Sequence, residues 1–469
     1  MKTLYILSAL GVVSLLAEIF RFKKFLLPIV LVGVLGAIAA AVKDWNTNIH
    51  YYSNMLTFDN YAILFTILIC VTGFLWFLTT QSFFSNETSK TDHFALAIFS
   101  LCGAMLMVSF SNMVMLFLGI EILSIPIYVL AGSNKDSLAS NESALKYFLM
   151  GAFASGFLLF GIALVYGATG TFDIGVLNTY LVSPEPISTW RGDGAETLLF
   201  AGILMMLIGM CFKVAAVPFH FWTPDVYEGA PTPVTAFMST IVKTAAFAAF
   251  LRLFMTCFVG YAALWTNIIW SLAALSISLG NITAVYQNSV KRMLAYSSIS
   301  HAGYMLLAIL TSGSMSAGAV LYYSAAYSVA TIAAFTVLSI VEENSGQVTF
   351  ESFNGLAKKN KFLAFSMTIA MLSLAGIPPL AGFFGKYYLF TSALSSGYVW
   401  LVLIAAAGSL VGVYYYLRVV IIMYSKDKAE DEVKVEEIEA TTLQKIALAL
   451  CILLALLMGC FPDAIIRLI

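Results

Sequence analysis

A few charged side chains lie inside the apolar stretches of this sequence, where ionisable groups are rare and mostly functional. They are Glu121, Lys146, Lys213, Lys243, Arg252, Lys386 and Arg418. A charge at the centre of a membrane helix costs about 2.5–3.5 kcal/mol on the insertion scale, so it must pair, face protein or line water. Burial disfavours the charged form of a lysine and a nearby carboxylate favours it. A lysine that approaches and leaves Glu121 is therefore suited to proton transfer.

Local contacts explain some of these residues better than others. Arg252 and Arg418 lie near the ends of their apolar runs, from which a charged head can reach the membrane surface. Lys146 follows Glu142 by four residues, the spacing of an ion pair within one helix. Glu121 and Lys243 have apolar or small residues on both sides and no such outlet. These two positions most strongly predict functional groups.

Lys213 and Lys386 stand near prolines within otherwise helical runs, FKVAAVPF (212–219) and GIPPLAGFFGK (376–386). A proline inside a helix removes a backbone donor and clashes with the preceding turn. The freed carbonyls are tolerated in a membrane only beside protein or water. We therefore predict a broken helix at each place. Two interrupted segments in corresponding halves are typical of transporters built from internal repeats.

Two histidines add candidate proton carriers. His220 follows the first break and His301 lies in YSSISHAGYML (296–306), and a histidine can relay protons near neutral pH. Each can equally be a core histidine with satisfied ring nitrogens. The other histidines are predicted in loops and the cysteines form no CxxC pair, so no metal site is predicted. No dinucleotide or phosphate-binding glycine motif is present, so we predict no cofactor in this chain.

The elements that position these residues are predicted to be membrane helices. Only 10% of the 469 residues are charged and 61% are hydrophobic, against roughly 25% charged in soluble domains. The net charge of -1 shows no excess of basic residues of the kind that binds nucleic acid. We predict an all-α polytopic membrane protein with about fourteen spans. The spans are 3–20, 25–42, 59–80, 92–110, 112–131, 143–168, 196–217, 232–257, 262–286, 295–312, 315–341, 361–390, 396–424 and 441–460.

The distribution of Lys and Arg predicts the orientation of these spans. Loops after odd-numbered spans hold fourteen of them, and the other loops and the termini hold four: Lys2, Lys43, Arg191 and Arg467. Positive residues favour the cytoplasm, so both termini are predicted outside. The fourteen are Arg21, Lys23, Lys24, Lys90, Lys135, Lys291, Arg292, Lys358, Lys359, Lys361, Lys426, Lys428, Lys434 and Lys445.

Five-span repeats, from the fourth to the eighth and from the ninth to the thirteenth span, would place both breaks in the fourth helix of a unit. An odd number of spans inverts the second unit relative to the first. The predicted domains are 1–90 with three helices, repeats 91–258 and 259–425, and 426–469 with the last span. The acidic stretch 425–440 is read as a solvated cytoplasmic linker, with a partner contact as the alternative.

Four segments resemble the antiporter-like subunits of respiratory complex I, the proton-translocating NADH-quinone oxidoreductase. They are GIEILSIPIYVL (119–130), FKVAAVPFHFWTPDVYEGAPTPVTAF (212–237), KRMLAYSSISHAGYML (291–306) and GIPPLAGFFGKYYLF (376–390). The resemblance covers roughly residues 90–425. It is strongest with the subunit N branch of that family, in which a lysine at the position of Lys386 fits.

This resemblance implies a fourteen-helix fold with two inverted five-helix repeats, and gives Glu121, Lys213, Lys243 and Lys386 roles in proton translocation. It implies other membrane-arm subunits and lipids as partners, in a bacterial inner membrane. NADH, FMN, iron–sulfur clusters and quinone would bind to partner subunits. Protons would enter from the cytoplasm near Lys146 and Lys213, pass Lys243, His220 and His301 through water, and leave through Lys386.

Two other functions remain open from the sequence. One is a Na⁺/H⁺ antiporter subunit with the same fold, which would purify without NADH-oxidising partners. The other is a structural subunit that moves no protons, although the retained buried charges argue against it.

Overall fold

The structure, a computed structural model, describes residues 1–84, 90–183, 194–311, 314–425 and 438–466. Within these ranges twelve helices are long and apolar enough to cross a membrane. The protein is therefore a multi-pass membrane protein, as the composition predicts. The helices of the first half are α1 (Lys2–Ile19), α2 (Leu26–Lys43), α3 (Asn60–Thr79), α4 (Lys90–Ser109), α5 (Met113–Ala131), α6 (Leu138–Thr169), α7 (Ile174–Val182), α8 (Ala195–Val214) and α9 (Thr223–Gly229).

The second half begins with α10, a 26-residue helix (Thr232–Cys257) that contains two π-helical turns, Met238–Val242 and Leu253–Cys257. The remaining helices are α11 (Ala262–Val285), α12 (Val290–Ile309), α13 (Ser314–Ser345), α14 (Leu356–Lys359), α15 (Lys361–Ala375), α16 (Ala381–Ser395), α17 (Val399–Tyr424), α18 (Thr442–Cys460) and α19 (Asp463–Ile466).

Two predicted spans are not among the twelve long apolar helices, yet both exist as helices. The tenth is α12, whose 20 residues measure about 30 Å along the axis. It begins at Val290, five residues before the predicted start. The twelfth is the broken pair α15 and α16. All fourteen predicted spans thus have a helical counterpart in the described part of the chain.

A short β-hairpin departs from the all-α prediction. Its strands, β1 (Ile49–Tyr51) and β2 (Leu56–Phe58), pair antiparallel between α2 and α3. The turn residues Tyr52, Ser53 and Asn54 all have positive φ. Strands of three residues are too short to show alternating polarity, so the sequence carries no strand signal here.

Polar residues fix the starts of many helices. A side-chain oxygen just before a helix accepts a hydrogen bond from the first-turn backbone N–H groups, which otherwise lack partners. The residues with this cap are Asp59, Asn112, Ser137, Asp173, Ser289, Asn360 and Thr441. These caps set the boundaries at which apolar runs become helices.

The same packing plan occurs twice. In the first set, α4 packs on α5 and α10, and α6 packs on α8. In the second set, α11 packs on α12 and α17, and α13 packs on α15 and α16. Helices α10 and α13 are buried along their length inside the bundle, and they carry or face the most buried charged residues.

Candidate functional site

The first helix break separates α8 from α9. Ala215 has φ of 61°, and the Ala216 N–H donates to the Cys211 carbonyl at 2.9 Å, which ends α8. The loop then crosses Pro218, and the Val217 N–H donates to the Ser276 hydroxyl on α11 at 2.9 Å. The broken seventh helix predicted from Pro218 is therefore present, and α11 holds the opened backbone.

The second break repeats this geometry between α15 and α16. Gly376 has φ of 83°, and the Ile377 N–H donates to the Leu372 carbonyl at 3.1 Å. Ala215 and Gly376 thus mark equivalent points. Counted from them, Lys213 lies two residues before its break and Lys386 lies ten residues after, so the two lysines are not equivalent. Asp225 occupies the position that corresponds to Lys386.

Lys213 is held by a serine that the sequence did not single out. Its Nζ donates to Ser124 Oγ on α5 at 2.5 Å. Glu121 lies one turn earlier on α5, and its buried Oε1 has no hydrogen-bond partner in the described structure. No ion pair within 4.0 Å joins Lys213 to Glu121 among the described atoms. Lys213 also borders a cavity of about 10 Å³ that it shares with Tyr128 and Trp222, about the space that one water needs.

Lys146 joins two helices at the predicted cytoplasmic end. Its Nζ lies 2.7 Å from Glu142, the predicted pair within α6, and 2.8 Å from Asp225 on α9. Arg292 of α12 lies 3.2 Å from Asp225 and 2.6 Å from Glu228. Lys146 is 42% exposed, so this network is open to water. It connects the segment after the first break to both α6 and α12.

Lys243 lies on the buried helix α10 and is 3% exposed. Its Nζ donates to the carbonyl and to the hydroxyl of Ser298 on α12, both at 2.5 Å. The hydroxyls of Tyr227 and Tyr327 also lie beside Ser298. The lysine directly follows the π-helical turn Met238–Val242, a distortion that is frequent at functional sites.

His301 is buried on α12, and both of its ring nitrogens meet tyrosine hydroxyls. Nε2 lies 2.9 Å from the Tyr416 hydroxyl, and Nδ1 lies 2.6 Å from the Tyr323 hydroxyl. The Tyr416 hydroxyl is in turn 2.5 Å from Ser297 Oγ. An unbroken chain of polar atoms therefore runs from Ser297, next to the Lys243 partner, to Tyr323.

Lys386, on α16, is the last of these ionisable residues. Its Nζ donates to the Ala375 carbonyl at the second break and to Ser409 Oγ on α17, both at 2.8 Å. The ammonium also lies 5.3 Å from the centre of the Tyr304 ring. A cavity of about 10 Å³ borders Lys386, His301 and Tyr323, and leaves room for about one bridging water.

His220 is not brought into this series. It is half-buried in the loop of the first break, and its Nδ1 lies 3.3 Å from the Pro218 carbonyl. No hydrogen bond between described residues links it to Lys213, Lys243 or His301. Arg252 and Arg418 stay outside as well: Arg252 pairs with Asp59 at 2.6 Å, and Arg418 donates to the Gln287 carbonyl at 3.3 Å.

Sequence reasoning missed the hydroxyl partners of the buried lysines and histidine. Ser124, Ser298, Tyr323 and Tyr416 lie within apolar runs, where single hydroxyls are common. The run YSSIS before His301 is the signal that could have drawn attention to them. Lys291 was counted as a loop residue, but α12 begins before it and its side chain is buried.

Comparisons with known proteins agree with this architecture. The family described as NADH:quinone oxidoreductase/Mrp antiporter, transmembrane, matches residues 111–412. NADH-quinone oxidoreductase subunit N of Cytophaga hutchinsonii is 45% identical over 472 aligned residues, which cover 100% of this chain and 99% of that one.

Solved structures share the fold over the whole chain. A chain of respiratory complex I from Thermus thermophilus with bound aureothin has a TM-score of 0.84 and 33% identity, and the match covers 99% of this chain and 98% of that one. A chain of the Mrp complex from Dietzia sp. DQ12-45-1b has a TM-score of 0.86 at 19% identity, with coverage of 100% and 96%. At that identity, the second match shows the fold alone.

Proposed function

We propose that this chain, which belongs to the transmembrane family of NADH:quinone oxidoreductases and Mrp antiporters, is a proton-translocating membrane-arm subunit of an NADH-quinone oxidoreductase. Full-length similarity at 45% identity to a subunit N carries this proposal. The series of buried ionisable groups supplies the chemistry. NADH oxidation and quinone reduction take place in partner subunits, which bind NADH, FMN, iron–sulfur clusters and quinone.

The first step of the proposed path is an exchange at Lys213. Its ammonium rests on the neutral hydroxyl of Ser124, while the Glu121 carboxylate one turn away has an oxygen without a partner. A carboxylate stabilises the charged form of a lysine and burial disfavours it. Movement of Lys213 toward Glu121 therefore favours uptake of a proton, and movement away favours release. Lys146, beside Asp225 at the open end, supplies the water-facing start.

The second step crosses the centre of the molecule through hydroxyl groups. Lys243 donates to Ser298, and the adjacent Ser297 begins the chain through Tyr416 and His301 to Tyr323. A hydroxyl and an imidazole can each accept a proton on one side and donate one on the other. Proton transfer from Ser297 to Tyr323 thus needs small rotations rather than movement of helices. Between Ser298 and Ser297, which no hydrogen bond joins among the described residues, water must complete the path.

The third step ends at Lys386. One water in the cavity between Tyr323 and Lys386 would complete the connection. The contact of Lys386 with the Ala375 carbonyl ties its charge to the second break, where unpaired backbone groups accompany an ionisable side chain. His220 makes no hydrogen bond to this series among the described residues, so its contribution would pass through water at the first break.

We place the chain in a bacterial inner membrane with both termini on the outer side, because the sequence puts fourteen Lys and Arg in loops after odd-numbered spans against four in the other loops and at the termini. The proposed domains are 1–90, the repeats 91–258 and 259–425, and 426–469. The twofold packing plan supports the two repeats. Most of the acidic stretch, 426–437, lies outside the described residues. Partners are other membrane-arm subunits and lipids.

The Na⁺/H⁺ antiporter alternative has weaker support. The Mrp match shares only 19% identity, whereas the subunit N of Cytophaga hutchinsonii shares 45% over the full length. Purification discriminates the two functions. NADH-oxidising subunits should accompany a subunit of an NADH-quinone oxidoreductase and should be absent from a purified antiporter.

The test uses Glu121→Ala and Lys213→Ala in the intact complex within sealed vesicles. We expect NADH-driven proton pumping and quinone reduction to fall together. Lys213→Gln and Lys213→Arg show whether loss of pumping reflects proton transfer or failed assembly. Unchanged pumping in both alanine variants would overturn the proposal.

A further inference from the structure

A large polar cavity opens at the predicted cytoplasmic end, away from Lys213. We call it the vestibule; its volume is about 980 Å³. Its walls come from the starts of α4, α6, α10 and α12 and from the ends of α5, α9 and α13. Acidic side chains outnumber basic ones along these walls. The charged residues are Asp92, Lys135, Asp136, Glu228, Lys291, Glu342 and Glu343.

Lys291 forms the floor of the vestibule. It is 2% exposed, and its Nζ donates to the Ala230 carbonyl at 2.6 Å. The same Nζ lies 3.9 Å from the Glu342 carboxylate, which also accepts a hydrogen bond from Thr232. The Lys291 ammonium is therefore buried at the inner wall of the vestibule and is tied to the end of α9 and to α13.

The floor is close to Lys243 along α12. Lys291 and Ser298 are seven residues apart, two helical turns, so they share one side of α12 about 10 Å apart. Ser298 is the residue that holds Lys243. Tyr227 neighbours the wall residue Glu228, and its hydroxyl lies near Ser298. No hydrogen bond between described residues joins that hydroxyl to Lys291 or to Ser298, so water must complete both links. Lys213 contacts none of these groups.

Two wall atoms also lack partners within the described structure. The Ser133 Oγ and the His93 Nδ1 are buried and make no hydrogen bond, and both residues line the vestibule. Buried polar atoms without protein partners are commonly satisfied by ordered water. The acidic walls would raise the local concentration of cations, hydrated protons included.

We propose that the vestibule is a second proton entrance, in which the Lys291 ammonium gives a proton, by way of Tyr227, Ser298 and bridging water, to the neutral amine of Lys243 and then regains one from water in the vestibule. This inference rests on the proposed proton-translocating function. It differs from the path predicted from the sequence, because it reaches Lys243 without Lys213. The ligand is the hydrated proton, and each transfer leaves Lys291 ready to accept the next one.

The decisive variant is Lys291→Arg in the whole complex, assayed in inside-out vesicles. Arginine keeps the charge and can keep the tie to Ala230, but it does not release its proton in proteins. We expect NADH-driven pumping to fall about tenfold, less than the roughly 10²–10⁴-fold typical of a lost proton-transfer group, because the entrance near Lys146 and Lys213 remains. Lys361→Arg, an exposed residue at the same end, is the matched control and should pump normally. Normal pumping in Lys291→Arg overturns the inference.

A second measurement covers failure of that variant to assemble. Ser133→Cys is treated with a membrane-impermeant cationic thiol reagent from the cytoplasmic side, beside an identically treated complex without the cysteine. We expect modification that slows pumping, and absence of reaction overturns the inference. Lys243→Arg distinguishes failure of the proposed entrance from failure of the proposed function. If it blocks pumping while Lys291→Arg does not, only the entrance fails; if both pump normally, the proposed function fails.

Discussion

The ammonium of Lys213 lies 2.5 Å from the hydroxyl of Ser124 and leaves the nearby Glu121 carboxylate without a hydrogen bond to one oxygen. This half-buried lysine is held by a neutral acceptor rather than by the carboxylate. The two alternatives differ by one helical turn on α5, a distance that the flexible lysine stem can cover. We propose that Lys213 moves between these two acceptors at the first break.

Removal of the Ser124 hydroxyl, the neutral hydrogen-bond acceptor, should shift Lys213 toward Glu121. In Ser124→Ala, Lys213 loses a hydrogen bond to a charged group, a kind worth about 1.5–3 kcal/mol. We expect the lysine to remain near Glu121 and pumping to slow about tenfold, since about 1.4 kcal/mol corresponds to a factor of ten. Ser109→Ala is the control, because Ser109 is also buried but donates only to Met105 within its own helix. Equal pumping in the two variants would contradict the exchange at Lys213.

The adjacent residues Tyr322 and Tyr323 provide a matched pair on α13. Tyr323 bonds to His301, whereas Tyr322 donates to the Met458 carbonyl at 2.8 Å. Both are buried, so a change to Phe alters packing equally and removes one hydroxyl. We expect Tyr323→Phe to lower pumping about tenfold or more and Tyr322→Phe to affect mainly heat stability, by about 1 kcal/mol. Tyr416→Phe should resemble Tyr323→Phe. If both members of the pair pump alike, the hydroxyl chain is not the route.

Gly376 allows the second break to sit close to Lys386. Its φ of 83° favours glycine, and a Cβ added there would lie 2.9 Å from Lys386 Cδ. Gly376→Ala should destabilise the fold by at least about 1–2 kcal/mol through the backbone alone and should also displace the ammonium. Thermal unfolding of the purified complex and pumping measure the two effects. Gly156→Ala, in an open part of α6, is expected to leave stability and pumping unchanged. A loss of similar size in Gly156→Ala would contradict the role assigned to Gly376.

Asp225 gives a test of the entrance near Lys146. It pairs with Lys146 and Arg292, while Glu142 contacts Lys146 within one exposed helix. Exposed pairs within a helix contribute only about 0.3–0.5 kcal/mol, so Glu142→Gln should be nearly silent. Asp225→Asn should slow pumping several-fold because it releases two cations at once from the segment after the break. Pumping rates that rank the other way would show that the helical pair matters more.

The sequence predicted the parts of this structure that depend on long or chemically distinctive signals. Apolar runs gave all fourteen spans, and Pro218 and Pro378 marked both breaks. The hydroxyls of Ser124, Ser298 and Tyr416 could not be predicted, because a single hydroxyl in an apolar run has no pattern that says what it faces. The sequence places Lys291 in a loop because the tenth span is predicted to begin at 295; only packing shows that it is buried. The equivalence of Asp225 and Lys386 needed the φ angles of Ala215 and Gly376.

Lys243→Arg in the assembled complex tests the central claim most directly. Lys243 is buried at the midpoint of the series, and arginine keeps the charge without releasing a proton. The measurement is the rate of NADH-driven proton pumping together with quinone reduction in sealed vesicles, beside Lys361→Arg. The account predicts that the complex retains its NADH-oxidising subunits while pumping and coupled quinone reduction fall together by about tenfold or more. Pumping at the rate of the unchanged complex would contradict the claim that protons pass through this chain by way of Lys243.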